Sequence, residues 1–236
     1  SQDSGPSVAA AGSFTYNSVR NDVFANISNS RIVLDEIPPS VTLDPDDDPA
    51  LKVISADAAE INAVAGALGI SAGNENNIAA VGASVAVNTI QNRTDASIDE
   101  SKISDSTSSG TSATEEESES IPPSKVLVAS SHMAPLTAFA VAGSAGTSKM
   151  ALAGSVVVNT INTEDNMGSY SSIKNSDLDI SGPVTVYTGD EAQIVSLAGA
   201  VAGTTGKAAV GGAFVHSEIS GAVSAALDNS NVTANG

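Results

Sequence analysis

One phrase is spelled four times in this chain. The stretches AGSFTYNSV (Ala11 to Val19), GASVAVNTI (Gly82 to Ile90), AGSVVVNTI (Ala153 to Ile161) and GGAFVHSEI (Gly211 to Ile219) are versions of it. Self-similarity at a period of several tens of residues signals a repeat architecture, in which each unit buries its apolar face against its neighbours. Such a signal constrains shape strongly and activity weakly.

Asn17, Asn88, Asn159 and Ser217 serve as equivalent anchors, with successive separations of 71, 71 and 58 along the chain. From each anchor to the next apolar landmark (Ile32, Ile103, Leu178, Val232) the distances are 15, 15, 19 and 15. From there to Val53, Val128 and Val186 they are 21, 25 and 8, and on to the following anchor 35, 31 and 31. The shortest form of each part gives a unit of length 54, so the copies differ by insertions of 13 and 4, of 17, and of 4. A solenoid coil with strands of ordinary length takes about 18 to 25 residues. The unit therefore reads as three coils, and the chain as an all-β solenoid with about 18 residues per coil and acidic loop insertions. It is expected to form a single segment over 1–236. The repeats fall at about 7–76, 77–149, 150–207 and a partial 208–236, with loops inserted at about 35–50 and 104–124.

Alternation with period two supplies the strand evidence. Val156 and Val158 share a face, as do Val85 and Val87 one repeat earlier; Val184 and Val186 match Val126 and Val128. On this reading Val156 and Val158 point into the interior, and Asp at either would bury an unpaired carboxylate. The rival is an α-solenoid, for which INAVAGALGISAG (Ile61 to Gly73) and AQIVSLAGAVAG (Ala192 to Gly203) are the Ala-rich candidates. Their glycines, at about 1 kcal/mol per interior helix position, count against it.

Composition narrows the partners. Hydrophobic residues make up 41% and aromatics only 3%, so Val, Ile, Leu and Ala must fill the core. A net charge of −18, from 27 acidic and 9 basic residues, disfavours nucleic acid and anionic membrane surfaces, both of which attract Lys and Arg. The apolar stretches Met133 to Gly146 and Ala192 to Gly203 fall short of the roughly 20 residues of a spanning helix, so no membrane insertion is expected. With no cysteine, neither disulfides nor thiolate metal sites arise. The polar opening carries no secretory signal pattern, and the chain begins and stops inside repeats, which reads as an excerpt of a longer protein.

The phrases AVGASVAVNTI (Ala80 to Ile90), ALAGSVVVNTI (Ala151 to Ile161) and NSDLDISGPVTVYT (Asn175 to Thr188) resemble the β-helical passenger repeats of large exported adhesins and toxins of Gram-negative bacteria. These are the filamentous-haemagglutinin-like and autotransporter families, and the resemblance is strongest to fusobacterial leukotoxin-like repeats. It implies export, a right-handed parallel β-helix and presentation at the cell surface. The motifs carry no catalytic residues.

The insertions are the foremost functional candidates. They bring together Asp35, Glu36, Asp44, Asp46, Asp47, Asp48, Asp105, Glu115, Glu116, Glu117 and Glu119, 11 of the 27 acids, in Pro-rich loops expected to protrude as a recognition or cation-binding edge, or as solvated spacers. Three coils apart, they would lie about 14 Å from one another along one side. The run DPDDD offers the carboxylates that Ca²⁺ favours, but lacks the remaining ligand pattern of a calcium loop. Asn17, Asn88 and Asn159 read as corner residues satisfying turn backbone, three coils apart and so unable to form one ladder. His132 and His216 lie in different repeats, with His216 on a strand face at the position of Tyr16, Val87 and Val158, as a packed core or boundary residue. Asn26, Asn92 and Asn231 begin glycosylation sequons by chance-level matches.

No catalytic, cofactor or metal site is assigned, and the chain is not expected to be an enzyme. The expected function is a structural or adhesive rod segment, extracellular or at the surface of a Gram-negative bacterium. Its partners are copies of itself or adjoining repeats through open coil edges, and a host or neighbouring-cell surface ligand. The rivals are a polysaccharide-active β-helix enzyme or secreted toxin segment, weakened by scattered basics such as Arg20, Arg31 and Arg93, and an ice-binding solenoid, weakened by the lack of Thr-x-Thr arrays.

Overall fold

Every described element is a β-strand, and every pairing is parallel. The computed structural model describes residues 8–34, 49–72, 78–105 and 124–234. The first repeat supplies β1 (Val8–Ser28), β2 (Arg31–Leu34), β3 (Leu51–Ala58) and β4 (Ile61–Ser71). The second supplies β5 (Ala79–Asp99), β6 (Lys102–Asp105) and β7 (Val126–Gly146). The third supplies β8 (Met150–Ile161), β9 (Gly168–Lys174), β10 (Asp177–Ile180) and β11 (Val184–Thr204). The fourth supplies β12 (Ala208–Ile219), β13 (Ala222–Asp228) and β14 (Asn231–Ala234). Both Ala-rich candidates for helix are strand, as β4 and part of β11.

Three sheets result. Sheet A holds β1, β5, β8 with β9, and β12 with β13; sheet B holds β2, β6, β10 and β14; sheet C holds β3 with β4, β7 and β11. The chain visits A, B and C in that order in each of the first three repeats, and A and B in the fourth, so a strand pairs with its counterpart one repeat away. Asn17 lies beside Asn88, Asn88 beside Asn159, and Asn159 beside Ser217. Ile32, Ile103, Leu178 and Val232 align likewise, as do Val53, Val128 and Val186. The four insertions all fall between paired segments. The fourth bulges out at Thr163 to Asn166, where β5 runs on unbroken between its pairings to β8 and β9.

This register corrects the expectation of about 18 residues per coil. The hydrogen-bonded neighbours in sheet A are Asn17 with Asn88 and Asn159 with Ser217, a full repeat apart. One repeat therefore makes one pass through the three sheets rather than three. The physical reason is strand length: β1, β5, β7 and β11 each run for 21 residues, several times the ordinary strand assumed.

Two corners carry recurring features. Between sheets A and B, Asn29, Glu100, Asn175 and Asn229 take positive φ of 47°, 48°, 48° and 45°, a left-handed conformation that Asn tolerates best among non-glycine residues. The serine after each one, Ser30, Ser101 or Ser176, donates its N–H at 3.1 Å to the hydroxyl of the next repeat's serine. Each hydroxyl in turn donates to the carbonyl two residues back. Where sheet C passes into sheet A, the sheets nearly touch: a Cβ on Gly82 would collide with the Gly143 carbonyl oxygen, and one on Gly69 with that of Val81.

The interior has two apolar cores. One, between sheets A and C, is built from Ala63, Ala65, Ala86, Ile90, Ala138, Val157, Ile161 and neighbours. The other, lined by sheet B, gathers Ile98, Ile103, Val128, Ile173, Leu178 and Ile180. Val126 and Val128 point inward as expected, with Val184 and Val186 packed against the same core. Val156, Val158, Val85 and Val87 do not: they lie on the outer face, half-buried, and the inward residues are Val157 and Ala86, both fully buried. Alternation identified the shared faces but not which one turns inward, because both faces of these strands are apolar.

Two outcomes follow from this frame. Val157→Asp should abolish cooperative unfolding by circular dichroism, whereas Val158→Asp should leave it within about 1 kcal/mol of the parent, as for an ordinary surface change. Glu100→Asn should raise the urea midpoint by the equivalent of about 1 kcal/mol, by relieving the left-handed backbone.

Candidate functional site

The acidic insertions lie mostly outside the described residues: Asp35, Glu36, Asp44, Asp46, Asp47, Asp48, Glu115, Glu116, Glu117 and Glu119 all belong there. Their attachment points are described. Leu34 pairs with Asp105 and Leu51 with Val126, so both loops leave and rejoin on adjacent strands, about 4.8 Å apart rather than 14 Å. Asp105 is not a loop residue. It ends β6, is 3% exposed, and its carboxylate accepts the Ser181 N–H at 2.5 Å. The third repeat closes the same connection with Ser181, Gly182 and Pro183 alone.

The anchor asparagines are likewise not corner residues. They sit mid-strand and point inward, with Asn88 and Asn159 fully buried. Because one repeat makes one pass, they stack directly: Asn17 Nδ2 donates to Asn88 Oδ1 and Asn88 Nδ2 to Asn159 Oδ1, each at 2.8 Å. The ladder ends by crossing to sheet C, where Asn159 Nδ2 donates to Ser196 Oγ at 2.6 Å and Ser196 lies 3.0 Å from Ser217. Each amide supplies both a donor and an acceptor, so a column of identical residues satisfies itself.

A second polar layer separates the two apolar cores. Asp57, His132 and Asp190 occupy one register position on β3, β7 and β11. The His132 side chain has no exposure; Nδ1 lies 3.3 Å from Asp190 Oδ1, and Nε2 lies 3.8 Å from Asp57 Oδ2. From sheet A, Asn92 Nδ2 donates to Asp57 Oδ2 at 2.5 Å and lies 3.4 Å from His132 Nε2, while Asn21 Nδ2 donates to Asp57 Oδ1 at 2.8 Å. With its proton on Nδ1, the imidazole donates to Asp190 and accepts from Asn92, so both nitrogens are satisfied. Among the described residues, no group of three or more His, Cys, Asp or Glu side chains is placed to hold a metal ion.

His216, expected as a packed core or boundary residue, is 52% exposed in its side chain, because it belongs to the outward-facing row of Tyr16, Val87 and Val158 and lies on the last strand of sheet A. It does stack beside Val158. The sequon residues diverge: Asn26 and Asn231 are exposed, Asn92 fully buried. Arg20 pairs with Glu164 at 2.9 Å at the surface, and Arg93 with Asp95 at 2.9 Å. Arg93 also packs between the rings of Phe24 and Tyr170, at 5.3 and 5.4 Å. Arg31 lies away from both, on β2.

The surfaces with unmet bonding capacity are the ends of the sheets. Among the described residues, β1, β2, β3 and β4 each pair on one side only at one end, and β11, β12, β13 and β14 do at the other. Strand edges of this kind present rows of free N–H and C=O groups. The sequence contained a signal for the histidine layer as well. Asp57, His132 and Asp190 each follow the landmark Val53, Val128 or Val186 by four residues, a coincidence that gains meaning only once one repeat is one pass.

Two measurements check this geometry. His132→Leu should lower stability by about 1–3 kcal/mol in urea unfolding, the cost of leaving the Asp190 acceptor without its donor, while His216→Leu should stay within about 0.5 kcal/mol. Replacing 35–50 by the three-residue connection Ser-Gly-Pro of the third repeat should preserve the circular dichroism spectrum and cooperative melting. No protein-family model, curated protein or solved structure matches this chain.

Proposed function

We propose that this chain is a segment of a right-handed parallel β-helix that serves as a rigid structural or adhesive rod in a large bacterial protein, exported or displayed at the surface. The observation that carries this reading is the register. Equivalent residues of successive repeats pair directly in all three sheets, which is how a rod lengthens without enlarging its core. The open strand edges at both ends favour continuation, into adjoining repeats or into another copy stacked end to end. Recognition belongs on the outer walls and the acidic insertions, because the inward Asn, Asp and His side chains bond to one another. The resemblance to exported passenger repeats, the absence of cysteine and the excess of acidic residues support an extracellular setting and argue against nucleic acid as a partner.

Negative-stain imaging of the purified chain should show straight particles that join end to end. Ser217→Lys, at an exposed position of β12, the last strand of sheet A, should stop that joining while leaving the spectrum of the monomer intact, because it places a charge at an open end. Antibodies to the chain should label intact cells that produce the parent protein. Round particles with no tendency to join, or labelling only after lysis, would count against the rod and the surface setting respectively.

A further inference from the structure

The outer face of sheet A nearest its junction with sheet C is apolar to an unusual degree. Residues 8–19, 79–90, 150–161 and 208–219 contain one formally charged side chain, Glu218, in a chain of net charge −18. Their outward positions align in rows across the four strands. Phe14, Val85, Val156 and Phe214 form one row, and Ala10, Val81, Leu152 and Val210 another. Phe14 is 67% exposed and Phe214 58%. Between the rows runs a third, of Gly12, Ala83, Gly154 and Gly212; its Ala83, Gly154 and Gly212 floor an apolar groove of about 410 Å³ beside Val85, Val156 and Phe214.

These glycines are not required by the fold. A Cβ at Gly12 or Gly154 would come no closer than 3.8 Å to any atom, and one at Gly212 would meet nothing within 4 Å. Gly82 and Gly69, by contrast, are forced by backbone contact between the sheets. Here the missing side chains shape only the outer surface, leaving a furrow beside a ridge.

We infer that this face is a self-association surface. A second copy of the chain lays its Phe14–Val85–Val156–Phe214 ridge into the glycine furrow and receives the first copy's ridge in its own, about a two-fold axis between the rows. The pairing is isologous, as in most homodimers. Sheet faces packed this way lie about 10 Å apart with interdigitated side chains. Twelve residues at about 3.3 Å and four strands at about 4.8 Å give a face of roughly 750 Å². A standard stable interface buries about 800 Å² per partner. Lipid fits less well, because the edges of β1 and β12 bordering the face would leave backbone groups unbonded in hydrocarbon, whereas a sheet-on-sheet pair leaves those edges in water. This association is lateral and does not depend on the end-to-end joining proposed above.

The test uses the full chain carrying the end-blocking Ser217→Lys, in sedimentation equilibrium at micromolar concentration. The expected species is a dimer of twice the 23.3 kDa chain mass. Gly154→Leu, which fills the furrow, should weaken dimerisation at least tenfold with an unchanged circular dichroism spectrum. A monomer, or a dimer that survives Gly154→Leu, would overturn the inference. So would flotation with phosphatidylcholine vesicles in place of dimerisation. Preserved end-to-end joining in the unblocked Gly154→Leu chain would show that the lateral face and the rod reading stand or fall separately.

Discussion

Parallel pairing of each repeat with its own counterpart is the interaction on which the rest depends. When like residues stack on like, a single side chain in the repeat becomes a column, and its chemistry is multiplied or punished at every step. Asn succeeds in an interior column because its amide both gives and takes a hydrogen bond, as Asn17, Asn88 and Asn159 do. A charged residue cannot do the same, which explains why the interior acids at one position alternate with an imidazole: Asp57, His132, Asp190. Serine serves at the corners for a related reason, with its hydroxyl turned to its own chain and its N–H to the next.

The same constraint distributes tolerance. Insertions lie where no column passes, between β2 and β3, between β6 and β7, around 72–78 and at Thr163 to Asn166. Strands that share three neighbouring copies keep their length and phase. The polar layer of Asn92 and His132 divides the interior into an Ala-rich zone between sheets A and C and an Ile-, Leu- and Val-rich zone against sheet B. Small residues suit the first zone because the sheets converge there; branched ones fill the wider second.

Much of this was legible in the sequence and some was not, for definite reasons. The repeat landmarks were legible: the anchors, the apolar positions at Ile32 and its kin, and the Val53 series all fall in register. Strand length was not. Divisibility of 54 by 18 has no physical content, and nothing local marks the middle of a long strand as uninterrupted. From the short coil comes the misplacement of the asparagines, separated by coils that do not exist. The inversion of Val156 and Val157 has another origin. Period two reports that a strand alternates, and only a polar face tells which side is wet; the GSVVVNTI phrase offers none. The place of His216 beside Val158 was legible, yet its exposure follows from the same inversion, since that row faces outward, on the last strand of its sheet.

Backbone contact at Gly82 and Gly143 has a consequence for how such a molecule can change. There the separation of the two walls is set by main chain against main chain, with no side chain in between to swell or shrink it. Calibre at that margin is therefore immune to substitution on the outer walls. A lineage can redecorate those walls freely while the thickness of the object stays constant.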